Sequence, residues 1–209
     1  MFFVLYKKRG ETSRDVVNKV KAVTRVKKTG HAGTLDPLAA GILIVASGRE
    51  DTKKLHTSLF EEKEYIAVIK LGETSTTDDS EGEKEKVSVK RHPKIKEVKK
   101  VCESYVGEIS QIPPLYSAVK VNGYESYKLA RKGVSVEHKE RKVEIKEIEL
   151  LDYQYPLLKI RVVTGSGVYI RSLARDIGCL LVGGAYLQYL VRTRVGDFIL
   201  KDCINLKQT

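Results

Sequence analysis

Gly30-His31-Ala32-Gly33-Thr34-Leu35-Asp36-Pro37-Leu38-Ala39-Ala40-Gly41 is the stretch on which the reading of this chain turns. It places one carboxylate, Asp36, on a glycine-punctuated loop, directly before a proline and an apolar run from Leu38 to Val45. Taken alone, Asp-Pro ahead of an apolar run is the pattern of a helix N-cap with proline at the first helical position. Two features point elsewhere. Gly30 and Gly33 bracket His31, and paired glycines suit a backbone that bends tightly or is closely approached. Arg25-Val26-Lys27-Lys28 precedes the loop, and a basic stretch suits a polyanion. A carboxylate and an imidazole five residues apart beside a basic patch form a candidate site.

The rest of the composition narrows the function classes. A chain of 209 residues is one domain or two small ones, long enough to bury a core. Charged residues make up 31% of it, above the usual level of about 25%. The net charge of +11 predicts an acidic partner, and nucleic acid is the commonest such partner of a basic protein. Cys102, Cys179 and Cys203 are scattered and form no CxxC pair, against a disulfide framework and against zinc. All three read as packing residues. No apolar run has the roughly 18 residues of a membrane span, and the N-terminus lacks a signal-peptide core. A cytoplasmic protein is expected.

Outward from the signature stretch, the chain alternates short elements. Residues 2–6 read as a strand, followed by a basic turn at Lys7-Lys8-Arg9-Gly10. Thr12 and Asp15 form a capping box ahead of a helix with Val16, Val17, Val20 and Val23 on its apolar face. Glu50 to Leu59 reads as helix and Tyr65 to Gly72 as strand. Thr74 to Gly82 reads as an exposed polar loop whose carboxylates lack the spacing of a calcium site. Ile95, Val98, Val101, Cys102 and Tyr105 mark an amphipathic helix with a lysine-rich outer face. Gln111-Ile112-Pro113-Pro114 excludes regular structure. A strand is expected over Leu115–Val121, a turn at Asn122-Gly123, and a short helix over Ser126–Lys132. Val143–Leu151 and Leu157–Val163 read as paired strands, Val168–Leu180 as helix, Ala185–Leu190 as a short helix and Arg192–Ile199 as a last strand. Elements mixed in this way, without βαβ repeats, predict an α+β fold around an antiparallel or mixed sheet.

Three further constellations carry chemistry. Tyr65, in Lys63-Glu64-Tyr65, is either a packing residue or an aromatic that stacks on a base. Gly165-Ser166-Gly167 opens a helix with Arg171 in its first turn, where a positive charge opposes the helix dipole. A buried carboxylate partner would favour it there, Asp36 being a candidate; a surface arginine is the alternative. The segment Lys120 to Lys142 interleaves Lys120, Lys128, Arg131, Lys132, Lys139, Arg141 and Lys142 with Tyr124 and Tyr127, which suits either RNA contacts or a solvated face. There is no Walker loop, Rossmann glycine pattern, HExxH or GxSxG.

Taken together, these motifs resemble the TruB family of tRNA pseudouridine synthases, from about residue 5 to residue 198. The signature from Gly30 to Gly41 is similar to that family's catalytic-aspartate motif. Gly10-Glu11-Thr12-Ser13 matches, as do Lys63-Glu64-Tyr65 and Leu71-Gly72-Glu73-Thr74-Ser75-Thr76. So do Gln111-Ile112-Pro113-Pro114-Leu115-Tyr116-Ser117-Ala118-Val119-Lys120, Tyr169-Ile170-Arg171-Ser172-Leu173-Ala174-Arg175-Asp176 and Gly184-Ala185-Tyr186-Leu187, all in order.

The resemblance implies the α+β pseudouridine synthase fold, a central mixed, mainly antiparallel sheet flanked by helices with an active-site cleft. It implies a single catalytic domain over 1–209, an RNA-gripping insertion around 120–142 with Lys120 and Arg131 as RNA contacts, and no C-terminal PUA domain. It also implies isomerisation of uridine at position 55 in the tRNA T arm. Asp36 is then the nucleophile, Tyr65 the aromatic that stacks on the uracil and a candidate for proton abstraction, and Arg171 the partner of the catalytic carboxylate. His31 fills the space left by the flipped base, and Tyr169 and Leu190 wall the pocket. Base flipping reaches an atom otherwise buried in folded RNA, and a partner cation keeps the carboxylate ionised. No redox cofactor, ATP or metal is required. The expected partner is the tRNA T-arm stem-loop, with no membrane, and the protein is expected to be a monomer. The alternatives are the same chemistry on other RNA, through a guide-dependent complex, or a non-catalytic RNA-binding or tRNA-folding protein.

Overall fold

The computed structural model describes residues 1–55, 57, 62–117, 119–121, 123–130, 133, 134 and 138–204. The elements, in chain order, begin with β1 (Phe2–Lys7), α1 (Ser13–Thr24), β2 (Thr29–His31), β3 (Ala39–Ser47), α2 (Arg49–Lys54) and β4 (Lys63–Leu71). Next come β5 (Glu73–Ser75), β6 (Lys84–Lys86), α3 (Ile95–Glu103), β7 (Gly107–Gln111), β8 (Lys120–Val121), β9 (Tyr124–Glu125) and α4 (Ser126–Ala130). The last are β10 (Arg141–Gln154), β11 (Leu157–Thr164), α5 (Ile170–Val182), β12 (Ala185–Val195) and β13 (Phe198–Ile199). The chain divides into two compact units, Met1–Ile66 with Leu190–Thr209, and Ala67–Tyr189. β4 and β12 each contribute residues to both. The fold is α+β on a mixed sheet, since β12 runs parallel to β3 while β1 pairs with β3, and β11 with β10, antiparallel.

In the first unit, β3 has β1 and β2 antiparallel to it and β12 parallel. All nine of its residues are buried. Leu43 and Val45 pack with Phe3, Leu5, Val16, Val17 and Val20 on one face, whereas Val23, expected on the same apolar face of α1, is exposed. Ile42, Ile44 and Ala46 pack with Ala32, Leu55 and Val195 on the other. This corrects the helix N-cap reading of Asp36-Pro37: the run that follows is a strand covered on both faces. Such a strand loses its alternation and reads as a continuous apolar run. α1 follows expectation, with both hydrogen bonds of the Thr12–Asp15 capping box formed. Lys7 is not part of an exposed turn. It ends β1 with its side chain fully buried, and its ammonium donates to the Lys8 and Glu11 carbonyls at 3.1 and 2.7 Å.

In the second unit, β10 pairs with β11 and β7. The polar β7 escaped the sequence reading because only its last residue, Gln111, is buried. The helix expected at Ala185–Leu190 is instead the first half of β12, tied by the Leu187 N–H to the Asp78 carbonyl at 3.0 Å. That half lies so close to α5 that a Cβ on Gly178 would stand 2.0 Å from that of Ala185. The strand expected over Leu115–Val121 is reduced to β8. The Leu115, Tyr116 and Ser117 carbonyls are taken by Ser126 Oγ, Arg171 and the Tyr127 N–H rather than by a ladder. The Glu50–Leu59 helix is α2 alone among described residues. The exposed loop at Thr74–Gly82 also needs correcting, because Asp79 within it is only 2% exposed. Cys102 is buried but Cys179 is exposed, so it is not a core packing residue. No helix among the described residues is long and apolar enough to cross a membrane.

Candidate active site

Asp36 is half-buried in the segment between β2 and β3. Its neighbours are pinned on both sides. Ser13 Oγ, at the start of α1, accepts from the Leu35 N–H at 2.9 Å and donates to the Leu35 carbonyl at 3.0 Å. The Gly10 N–H donates to the Pro37 carbonyl at 2.8 Å, and the Ala39 N–H to the Asp36 carbonyl at 3.0 Å. The Gly10–Ser13 motif is therefore the support of the aspartate loop. A side chain whose backbone is held in this way keeps its aim without reordering at each turnover.

Two buried cations adjoin this loop, and neither was singled out from sequence. Burial pushes the Lys7 ammonium below its ordinary range, while the Glu11 and Asp36 carboxylates oppose that shift. Arg192 is 1% exposed; its Nε donates to the Ile42 carbonyl at 2.8 Å and its Nη2 to the Gly33 carbonyl at 3.1 Å. Arg192 shares its strand with Gln188, Thr193 and Arg194, so composition did not set it apart. His31 ends β2, half-buried, and its Nδ1 has no hydrogen-bond partner among the described residues. Burial first, then the charges of Arg192 and Arg14, push its imidazole below the ordinary value of 6.5, against the Gly33 backbone. Tyr65 is 7% exposed on the inward-facing row of β4. Leu190 is buried on β12 opposite Ala39, three residues beyond Asp36.

The second unit holds Tyr169 and Arg171 at the start of α5. Tyr169 is the N-cap residue, and buried Gln111 clamps its backbone: the Tyr169 N–H donates to Oε1 at 2.8 Å, and Nε2 donates to the Tyr169 carbonyl at 3.2 Å. Ser172 Oγ and Arg175 both donate to the Ile112 carbonyl, at 2.8 and 3.1 Å. The Gln111–Pro114 motif thus seats the helix start. Arg171 is 6% exposed, which excludes the surface-arginine reading. Its Nη2 donates to the Tyr116 carbonyl at 2.9 Å, and its Nη1 stands 3.6 Å from Asp79. Asp79 also accepts from Thr77 Oγ1 at 2.5 Å and the Glu81 N–H at 2.9 Å. Beside it, Arg175 pairs with Asp78 at 3.0 Å and Asp176 at 2.9 Å. Burial pushes the Asp78 carboxyl up, against the attraction of Arg175 and Arg171. The sequence assigned these loop acids no role; buried Arg171 and half-buried Arg175, which they face, identify it.

His31, Asp36, Tyr65 and Leu190 thus belong to one unit, and Tyr169 and Arg171 to the other. Lys120 lies in the β8–β9 hairpin, and Arg131 lies outside the described residues. The described residues contain no group of three side chains able to hold a metal ion.

Residues 21–170 match the model of the TruB family pseudouridylate synthase N-terminal domain. A tRNA pseudouridine synthase B from Parabacteroides distasonis is 48% identical over 200 residues, which cover 93% of this chain and 85% of that relative. One from Chlamydia abortus is 41% identical over 199 residues, covering 95% and 84%. Among solved structures, a chain of a Cbf5-Nop10-Gar1 complex superposes with a TM-score of 0.71 at 31% identity. A chain of an H/ACA RNP bound to a substrate RNA containing 2′-deoxyuridine gives 0.68 at 28%. Each match covers 95% of this chain, which spans about half the length of those two, 49% and 48%.

Proposed function

This chain belongs to the TruB family of pseudouridylate synthases, and we propose that it isomerises uridine to pseudouridine in tRNA, at position 55 of the T arm. The observation that carries the reading is the half-buried Asp36 carboxylate on a loop fixed by Ser13, Gly10 and Arg192. Asp36 attacks the uridine, at ribose C1′ or at base C6, and the bond from ribose to the base nitrogen breaks. The uracil turns and is rejoined to ribose through C5, and the bond to Asp36 breaks, which frees the carboxylate. The nitrogen ends with a proton and C5 loses one, so the product has the atoms of the substrate.

The other residues have roles suited to this sequence of events. Tyr65, on the inward row of β4, offers a ring face to the flipped base and an oxygen as acceptor of the C5 proton. Leu190 and Tyr169 supply apolar walls, and His31 takes the place the base leaves. Arg171 is the cation that balances the Asp36 carboxylate in the reaction. The net charge of +11 suits a polyanionic substrate. The test is incubation with an unmodified tRNA transcript, followed by mapping of pseudouridine. Modification confined to position 55, and lost when the T arm is deleted, is the expected result. Modification elsewhere in the transcript, or none, overturns the assignment of position.

A further inference from the structure

We propose that Arg192 is a positioning residue for Asp36: one guanidinium ties the aspartate loop, at Gly33, to the strand that follows it, at Ile42, and so sets where the carboxylate stands. The inference rests on the reading of Asp36 as nucleophile. Gly33 lies three residues before Asp36 and Ile42 six residues after it, and Arg192 donates to the carbonyls of both. The chain between those two carbonyls, Asp36 included, is held further by the Ser13 and Gly10 contacts and, from Ala39 onward, by the pairing of β3.

The surrounding backbone is shaped to admit it. Gly41 lies opposite Arg192 in the parallel pairing of β3 with β12. It has φ +115°, and a Cβ there would come within 2.2 Å of the Arg192 carbonyl oxygen. Gly33 has φ +79°, and a Cβ there would stand 3.4 Å from Arg192 Nη1. Two glycines of the signature stretch therefore admit the strand and the head group of the same arginine. The Arg192 guanidinium is buried and spends its Nε and Nη2 donors on these two carbonyls. A buried cation is costly, and an apolar side chain would fill the space without that cost. What the guanidinium adds is a planar fork of donors able to reach two separate carbonyls, which an ammonium cannot reproduce.

Arg192→Met and Arg192→Lys are compared with wild type by steady-state kinetics on unmodified tRNA and by thermal unfolding. Hydrogen exchange is followed over residues 31–44, with the β10–β11 hairpin as internal reference. A displaced nucleophile is expected to lower kcat by about 100-fold in Arg192→Met, with KM changing by less than about threefold. Arg192→Lys recovers part of the rate. In both variants protection falls over residues 33–38 and is kept in the hairpin. Wild-type kcat, a fall in kcat without loss of protection over 33–38, or protection lost equally in loop and hairpin each overturns the proposal. If Arg192→Met does not fold, Arg192→Lys, which keeps the stem and the charge, decides by the same readouts. Asp36→Asn, assayed in parallel, separates the two levels. Turnover in that variant rejects the nucleophile, whereas the exchange measurement reports on the tether independently of catalysis.

Discussion

Arg192 and Arg171 are buried almost alike, at 1% and 6% exposure, and both donate to backbone carbonyls, but Arg171 also has a buried carboxylate at ion-pair distance. Arg192 sits on one backbone carbonyl of the aspartate loop and one of the strand that follows it. Arg171 faces a buried carboxylate, Asp79, inside a cluster that also holds Arg175, Asp78 and Asp176. A guanidinium held by carbonyls specifies backbone position, because it satisfies groups that irregular chain would otherwise bury without partners. A guanidinium held by a carboxylate belongs to an electrostatic pair, where removing one partner strands the other. The first device suits a loop that must present one group accurately; the second suits a side chain whose charge is itself used.

The largest effect is expected where the carbonyl-held loop serves its purpose. Asp36→Asn should lower turnover about ten-thousand-fold or more while tRNA affinity stays near wild type. Appreciable multiple turnover in a verified variant would leave that loop without a chemical role.

Next is stability. Arg171→Met strands Asp79 and should cost about 3–5 kcal/mol; the double change Arg171→Met with Asp79→Leu recovers the share owed to the unpaired carboxylate and leaves the share owed to the Tyr116 and Thr77 carbonyls. Asp79→Leu should not rescue Arg192→Met, whose cost lies in the two carbonyls. Rescue of both by Asp79→Leu would erase the distinction between the arginines. Chemical denaturation of the four variants supplies the comparison.

Ser13→Ala leaves the Leu35 N–H and carbonyl without their buried partner, at a cost of about 1–3 kcal/mol. Its effect should concentrate on kcat rather than KM, as expected for the loop and not for the carboxylate-paired cluster. An unchanged kcat would show that the Arg192 and Gly10 contacts suffice.

The smallest effect concerns His31. Its folded pKa lies below 6.5, so the unfolded chain takes up the proton first as pH falls. The stabilisation is therefore complete above 6.5 and is lost as pH falls through 6.5 toward the folded value. His31→Gln should flatten the decline of unfolding free energy between about pH 7 and pH 5. An identical slope in the variant would mean that the imidazole does not titrate with unfolding.

Much of this was legible in the residues. The α1 capping box, the β10–β11 pair and the helix at Arg171 have local signals, with hydrogen bonds or periodicity contained in a few residues. β3 was misread because a strand buried on both faces has no period to see. Only Arg192–Val195 of β12 was read as strand: Ala185–Leu190 carries apolar positions that also fit a short helix, and pairing with β3 is non-local. At the site, Asp36 stood out by its glycines and proline. Arg192 and Asp79 did not, because their importance lies in being buried, and a charged residue on a strand or in a polar loop is ordinarily solvated.

The sequence by itself determined the family, the class of reaction and the candidate nucleophile, since short motifs in a fixed order name the candidate residues and their atoms. The tertiary structure decided what holds those atoms. Only folding brings the Gly33 and Ile42 carbonyls onto Arg192 and Leu35 onto Ser13, contacts that span 159, 150 and 22 residues of chain. Burial and partnership at such separations follow from packing, and local composition leaves no trace of them.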